Sequence, residues 1–410
     1  AQLAKIREEY QKIKPEEIKV IDPCMGSGHI LVYAFDVLMQ IYESCGYSQR
    51  DAAKSIVENN LFGLDIDQRA YQLAYFAVLM KARQYNRRIL GEGVRCNLYA
   101  IEESNGLNRQ QLQYFGQNMD PLARNVAMTQ MQALLDTMKD AKEYGSIIKM
   151  DPLDWPLLRE FVASAGFTGQ MTLDAIGLED TQERLRQLVE VGAVLAQKYD
   201  VVVTNPPYMG SKGMSAKLSG YVQVRYNDSK SDLFAVFLER CGQLISSIGY
   251  QAMITQHAWM FLSSYEKLRG KLFERDIVNM AHLGARAFEE IGGEVVQTTA
   301  FVMSAHKTKR YKGTYSRLVD FGNQKQKETM FLSDEHRHIA TIDSFDKIPG
   351  SPVAYWVSEA MLRTFEVGTL LGNIAFPKTG MTTGDNDRFL RIWHEVNIGK
   401  FNRKWFPYCK

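Results

Sequence analysis

The chain has 410 residues, of which 45% are hydrophobic and 23% charged, and its formal net charge is +2 at pH 7. This composition is typical of a globular protein large enough for two domains, and it excludes a polycation or a charged disordered chain. No apolar run approaches the roughly 20 residues that span a bilayer, and no signal-peptide core follows the N-terminus, so we expect no membrane partner.

Strand-like segments alternate with helical patterns, which predicts an α/β fold with a parallel sheet and helices on both faces. In chain order, the predicted strands cover 19–22, 61–66, 94–101, 199–204, 250–255, 278–283, 298–303 and 316–321. Helices are predicted over 30–42, 68–85 and 232–240. We expect the last two strands to pair as a hairpin.

Three segments depart from this alternation. A helical insert is predicted over about 103–198, where Gln, Met and Leu are frequent and β-branched clusters are few. Residues 210–230 are rich in Gly, Ser and Lys and are predicted to form a mobile loop. After Gly322 polar residues, Gly and Pro dominate, so we divide the chain into domains at 1–322 and 323–410.

The five cysteines form no C-x-x-C pair and are odd in number. This favours reduced thiols in a cytoplasmic protein over a disulfide framework, and no metal site is predicted.

A basic segment runs from Ser304 to Lys327, where Asp320 is the sole acidic residue. Such a segment suits contacts with phosphates, and it equally suits a solvated basic hairpin, so both interpretations stay open. Its cations are Lys307, Lys309, Arg310, Lys312, Arg317, Lys325 and Lys327.

The first motif follows the first strand and consists of Asp22, Pro23, Gly26 and Gly28. Glycines let the backbone approach a ligand, which in such sheets lies beyond the carboxyl ends of the strands. Leu31 occupies the third glycine position of the dinucleotide fingerprint, so a bound pyrophosphate is not supported. A cationic amino-acid nucleoside without a phosphate fits better.

The second strand ends in Asp65, Ile66 and Asp67. The Asp65 carboxylate can accept hydrogen bonds from both ribose hydroxyls, and Ile66 can lie against an adenine face. Asp67 is expected to cap the following helix. Each residue alone is equally compatible with a bare turn or a surface carboxylate, but their succession at two strand ends favours a nucleoside site.

The second motif, Asn205, Pro206, Pro207 and Tyr208, directly follows the strand at 199–204. An aromatic amino group is a poor nucleophile because its lone pair is delocalised into the ring. The Asn205 side-chain oxygen and the Pro206 carbonyl can accept its two N–H bonds and localise the lone pair, a stabilisation that grows in the transition state. Pro207 helps to fix the backbone, and Tyr208 offers a ring for stacking. We therefore predict methylation of an amino group.

In this order the two motifs resemble those of the gamma class of adenine-N6 DNA methyltransferases, and the chain is most similar there to the PglX-like methyltransferases of BREX phage-defence systems. Residues 249–269, 282–303, 379–389 and 404–408 add to the resemblance. It implies a Rossmann-like class I methyltransferase sheet, S-adenosylmethionine as cofactor, and the start of a target-recognition domain over 323–410. It also implies a piece of a longer protein, cut short before Ile18 and after Lys410.

The resemblance assigns further roles. A second base-stacking aromatic is carried to Phe288, and a polar contact to the cofactor adenine falls on either Glu102 or Asp151. The expected substrate is double-stranded DNA with a flipped adenine, because a buried methyl donor cannot reach a stacked base. The 210–230 loop could then close on the DNA backbone, and other phage-defence proteins are expected partners in a prokaryotic cytoplasm.

Two alternatives stay open at this level. A protein glutamine methyltransferase would present a similar amide nitrogen to Asn205, but such an enzyme needs neither the insert nor a recognition domain. The fold could also bind DNA or a partner without turnover, against which the intact second motif argues.

Overall fold

A computed structural model of the chain describes residues 2–165, 177–288, 296–369, 371–376 and 384–407. Its strands are β1 (Val20–Asp22), β2 (Leu61–Asp65), β3 (Asn97–Ala100), β4 (Tyr199–Thr204), β5 (Ile245–Gln256), β6 (Ile277–Gly284), β7 (Thr298–Ser304), β8 (Gly313–Arg317) and β9 (Arg337–Ala340). The helices up to the middle of the chain are α1 (Gln2–Tyr10), α2 (His29–Ser44), α3 (Gln49–Ser55), α4 (Gln68–Tyr85), α5 (Pro121–Thr137), α6 (Ala141–Tyr144), α7 (Trp155–Ala163) and α8 (Leu178–Ala196). The later helices are α9 (Ala216–Arg225), α10 (Leu233–Leu244), α11 (Glu266–Leu272), α12 (Gln324–Leu332), α13 (Ile342–Phe345), α14 (Glu359–Val367), α15 (Leu371–Ile374) and α16 (Asn386–Phe389).

The strands form one nine-stranded sheet in the order β3-β2-β1-β4-β5-β7-β6-β8-β9. Strands β1 to β5 pair in parallel, whereas β7 is antiparallel to both β5 and β6. The chain runs outward from β1 to β3 and returns to β4 on the other side of β1. The carboxyl ends of β1, β2 and β4 therefore meet at one edge beside a topological switch point, where ligands bind in open α/β sheets.

Two hydrophobic cores lie on opposite faces of this sheet. Alternate residues of β1 point to opposite sides, so Val20 joins the core under α2 and α4 while Ile21 joins the core under α8 and α10. The prediction of helices on both faces is confirmed. The apolar spacing of Leu31, Phe35, Leu38 and Ile41, which predicts α2, agrees with the structure: the first three are buried and Ile41 is half-buried.

The helical insert is confirmed as mostly helical over its described part, which contains α5 to α8. The buried Arg240 holds the insert against the sheet by donating to the Ser146 carbonyl at 3.2 Å and the Leu195 carbonyl at 2.9 Å. The Tyr226 hydroxyl donates to the Ile147 carbonyl at 2.5 Å. Leu195 lies in the last turn of α8, where backbone carbonyls have no partner within the helix, so its bond from Arg240 also satisfies a helix end.

The prediction of a mobile loop over 210–230 is wrong. Helix α9 lies within it, and Ser215 caps that helix by accepting a hydrogen bond from the backbone N–H of Leu218. Leu218 and Val222 are buried one helical turn apart, and Tyr226 follows them into the core. Burial of these three side chains stabilises the helix despite the loop-like composition of the residues around them.

The predicted hairpin between 298–303 and 316–321 is also wrong. Strand β7 lies between β5 and β6, with Phe301 opposite Met253 and Met280, so both of its edges are already paired. Strand β8 instead pairs in parallel with β6 and antiparallel with β9. Insertion of β7 into the sheet leaves no edge for its neighbour in sequence.

The described chain divides into two compact units, 1–358 and 359–410. The first unit extends past the predicted boundary at Gly322, because β9 pairs with β8 and the Tyr355 ring stacks on Tyr315 at 5.1 Å between centroids. The second unit contains α14 to α16, and residues 379–383 of the stretch noted at 379–389 lie outside the described residues. Among the helices that the structure describes, none is both long and apolar enough to cross a membrane.

Candidate active site

A cavity of about 580 Å³ lies at the carboxyl ends of β1, β2 and β4. It brings together predicted residues from both motifs: Pro23, Asp65, Ile66, Asn205 and Pro207 all line it. Asp22, Gly26, Gly28, Pro206 and Tyr208 lie in the same turns but are not among the lining residues.

The first motif forms a turn that Asp65 holds in place. The Gly26 N–H donates to one Asp65 carboxylate oxygen and the Asp67 N–H donates to the other, each at 2.9 Å. A carboxylate has about four lone-pair positions, so Asp65 can still accept two further hydrogen bonds from a ligand. Asp67 caps α4 through the Arg69 N–H, as predicted.

The two glycines of this turn differ in what surrounds them. Gly28 has φ +84°, and a Cβ there would lie 2.9 Å from the Cα of Ala74 on α4. Gly26 has φ +53°, and nothing lies within 4 Å of the position of its Cβ. Gly28 therefore permits the close approach of α2 and α4, whereas the space beside Gly26 is open.

Asp22, the first residue of the first motif, is 1% exposed and contacts Thr204, the residue before the second motif. One carboxylate oxygen accepts from the Cys24 N–H at 3.0 Å and from the Thr204 hydroxyl at 2.6 Å. The other oxygen has no hydrogen-bond partner among the described residues. Burial raises the pKa of Asp22 to about 7, against the lowering effect of these two hydrogen bonds.

The second motif begins directly after Thr204. Asn205 and Pro207 are exposed to the cavity, while Pro206 is buried. The Tyr208 hydroxyl lies 3.2 Å from both the Asn205 side-chain oxygen and the Ile254 carbonyl, and the ring packs edge-on against Phe234. Burial raises the pKa of Tyr208, so its hydroxyl is a hydrogen-bond donor at neutral pH.

The insert and the α9 region supply a wall of the cavity that was not predicted. Residues 142–146 line it from the insert, and Gly213, Ser215 and Leu218 line it from the other segment. The two segments contact each other: Lys217 pairs with Asp140 at 2.8 Å, Ser215 bonds to Glu143, and the Tyr144 and Tyr221 rings stack at 4.4 Å. No sequence pattern marks these residues, because their position depends on tertiary contacts.

The remaining predicted residues lie further out. Glu102 follows the cavity residue Ile101 and pairs with Lys142, itself a lining residue, at 2.8 Å. Asp151 is exposed and does not line the cavity. Phe288 is half-buried after β6 and is not among the lining residues, and residues 289–295 lie outside the described part of the chain.

The basic segment is less available than its sequence indicates. Lys327 is 3% exposed and donates to the carbonyls of Leu283 and Leu318. Lys307 pairs with Asp343, and Arg317 with Asp320. The exposed cations that remain are Lys309, Arg310, Lys312 and Lys325.

Comparison with family models gives two matches. Residues 59–288 match the model described as Eco57I restriction-modification methylase, and residues 4–93 match the model described as N-6 DNA Methylase. The chain belongs to the Eco57I restriction-modification methylase family. With the strand order described above, this confirms the predicted class I methyltransferase fold.

Two curated relatives are similar to the whole chain. The adenine-specific methyltransferase PglX of Lacticaseibacillus casei (strain Zhang) is 44% identical over 98% of this chain and 35% of its own length. The adenine-specific methyltransferase BrxX of Escherichia coli O9:H4 (strain HS) is 42% identical over 100% of this chain and 36% of its own length. The chain thus spans about a third of the length of these relatives.

Two solved structures of complexes with DNA are also similar to this chain. The cryo-EM structure of the DrdV–DNA complex has a TM-score of 0.49 and 12% identity, covering 86% of this chain and 29% of that one. The ATP-dependent Type ISP restriction-modification enzyme LlaBIII bound to DNA has a TM-score of 0.47 and 13% identity, covering 82% of this chain and 20% of that one.

Proposed function

We propose that this chain is the methyl-transferring part of a site-specific DNA adenine-N6 methyltransferase that uses S-adenosylmethionine. The observation that carries the proposal is that Asp65 and Asn205, from motifs far apart in sequence, line one cavity. The family, and the names of the PglX and BrxX relatives, support adenine as the target.

The cavity residues fit a cationic nucleoside cofactor. A volume of about 580 Å³ is within the usual range for ligand sites. Asp65 would accept the ribose hydroxyls, the exposed Ile66 would pack on the adenine, and Pro23 and Gly26 would bound the amino-acid portion. For the adenine amino group we propose Glu102 rather than Asp151, because the ion-pair partner of Glu102 lines the cavity. When bound, S-adenosylmethionine supplies an electrophilic methyl group on a sulfonium sulfur.

The second motif would align the target amine. The Asn205 side-chain oxygen and the Pro206 carbonyl accept the two N6–H bonds, which directs the nitrogen lone pair towards the methyl carbon. Bound S-adenosylmethionine would supply the methyl carbon with its sulfur as the leaving group, and the positively charged nitrogen of the product would lose one of its protons to water. No strong base is required, because the amine becomes acidic once methylated.

Access to adenine N6 would require the base to leave the duplex. We propose that the base stacks on Tyr208, whose hydroxyl lies beside the Asn205 oxygen, and that Phe288 contacts its other face. Lys212, Arg225 and Lys230 are exposed around α9 and suit contacts with the DNA backbone, whereas Lys217 is paired with Asp140. We further propose action with other proteins of a BREX-like phage-defence or restriction-modification system in the cytoplasm.

The test is transfer of tritiated methyl from S-adenosylmethionine to unmethylated plasmid DNA by the wild-type chain and by Asn205→Ala. Wild type should label N6 of adenine. Asn205→Ala should reduce transfer below about one hundredth, because it removes an acceptor used in the transition state, while cofactor affinity measured by calorimetry stays within about twofold.

Asn125→Ala, an exposed substitution on α5, is the matched control and should retain full activity. Label in protein and none in DNA would overturn DNA as the substrate. Cofactor binding by wild type without any transfer would overturn the assignment as an enzyme.

A further inference from the structure

The buried Asp22 is placed differently from a cofactor ligand. It ends β1 inside the cofactor motif, yet it is 1% exposed and does not line the cavity. Its hydrogen-bonded oxygen contacts one group on each side: the Cys24 N–H of the cofactor turn and the Thr204 hydroxyl at the end of β4.

We infer that Asp22 is a positioning residue that couples the cofactor turn (residues 22–28) to the amine-aligning segment (residues 205–208) through Thr204. Residue 204 directly precedes Asn205, so a shift of the Thr204 hydroxyl moves the acceptor that would hold the target amine. Misplacement of a reacting group by about 1 Å can cost about 100-fold in rate. This inference rests on the proposed function and connects the proposed cofactor site to the proposed site of the target amine.

The cost of the arrangement argues against a purely structural role. Burial of a carboxylate is unfavourable unless it is fully paired, and one oxygen of Asp22 has no partner among the described residues. An apolar side chain would fill this part of the sheet edge more cheaply. What a carboxylate adds is an acceptor strong enough to fix two turns that belong to different strands.

The charge of Asp22 controls the strength of this link. The titratable groups that face it are the carboxylate of Asp65 and the thiols of Cys24 and Cys241. Burial raises the pKa of Asp22 to about 7, whereas the hydrogen bond from Thr204 lowers it. Loss of that bond should therefore raise the pKa of Asp22 further. The pH below which kcat falls, the acid limb of its pH profile, should then move to a higher value.

The experiment compares Thr204→Val, which keeps the shape but removes the hydroxyl, with Thr204→Ser, which keeps the hydroxyl. Thr204→Val should lower kcat about tenfold at neutral pH, change the S-adenosylmethionine Kd less than about twofold, and move the acid limb up by about one pH unit. Thr204→Ser should retain the wild-type kcat and pH profile. A structural role alone would lower the Tm of Thr204→Val and leave its pH profile unchanged.

A second measurement is independent of turnover. S-adenosylmethionine should slow hydrogen exchange in residues 204–209 in wild type and Thr204→Ser, and should not do so in Thr204→Val. Unchanged kcat, pH profile and protection in a folded Thr204→Val would overturn the inference alone. Failure of wild type to bind S-adenosylmethionine would overturn the proposed function as well. Measuring cofactor binding by wild type therefore distinguishes failure of the inference alone from failure of the proposed function.

Discussion

Alanine substitution of the two glycines of the cofactor turn should have different effects: Gly28→Ala should mainly lower stability, whereas Gly26→Ala should mainly lower affinity for the cofactor. At Gly28 a left-handed backbone costs an L-residue about 1–2 kcal/mol, and the added Cβ would lie 2.9 Å from the Cα of Ala74. Backbone cannot move aside as a flexible side chain can, so overpacking adds about 1–3 kcal/mol. We therefore expect Gly28→Ala to lose about 2–5 kcal/mol of unfolding free energy.

Gly26→Ala is the matched comparison, because Gly26 also has a positive φ but has nothing within 4 Å of its Cβ position. It should lose only the backbone cost of about 1–2 kcal/mol. Its methyl group would instead enter the open space beside the turn, which the proposed function assigns to the cofactor. Affinity for S-adenosylmethionine should therefore fall about tenfold or more in a protein that is still folded.

The assay is urea unfolding followed by tryptophan fluorescence, with calorimetric titration of S-adenosylmethionine. An unchanged slope with a lower midpoint for Gly28→Ala would assign its effect to stability. Equal destabilisation by the two substitutions would refute the argument from the Ala74 contact. Wild-type cofactor affinity in Gly26→Ala would refute the assignment of the open space.

Three further predictions concern other parts of the first unit. Burial lowers the pKa of His282 from 6.5 to about 4, so between these pH values the unfolded chain binds a proton that the folded chain does not. The unfolding free energy should therefore fall by about 3 kcal/mol from pH 6.5 to pH 4. In urea unfolding, His282→Gln should reduce this dependence on pH. Tyr144→Ala should raise the S-adenosylmethionine Kd about tenfold by removing a cavity wall that stacks on Tyr221, whereas Tyr144→Phe should bind normally in calorimetry. Tyr226→Phe removes the donor to the Ile147 carbonyl and should lower the unfolding free energy by about 1 kcal/mol. Tyr221→Phe should cost less, because the Tyr221 hydroxyl only accepts a long, 3.4 Å hydrogen bond from the Lys149 N–H.

The parallel half of the sheet could be predicted because its signals are local. The strand at Tyr199–Thr204 and the helix at Gln68–Tyr85 were predicted with the bounds that the structure has. In both, apolar periodicity and the flanking cap or turn residues indicate the same element. Asp65 and Asn205 were each predicted to lie at the end of a strand, and the order of β2, β1 and β4 in the sheet brings both to one cavity.

The antiparallel half depends on pairing that is not local. The predicted hairpin fails because β7 is inserted between β5 and β6, and nothing within Thr298–Ser304 records which strands will flank it. Helix α9 was missed for a related reason. Its Gly, Ser and Lys residues indicate a loop, and only burial of Leu218 and Val222 against the insert makes the helix favourable.

The unpredicted wall of the cavity has a consequence for how the site works. Asp65 and Asn205 are fixed by the sheet, but the residues facing them come from the insert and the α9 region, which Arg240 and the Lys217–Asp140 pair hold in place. An added Cβ on Gly145 would lie 3.1 Å from the side chain of Ile66, so the insert approaches the proposed adenine surface directly. Under the proposed function, the sheet would therefore supply the aligning groups Asp65 and Asn205, while affinity for S-adenosylmethionine would depend on the insert, a segment with no motif of its own.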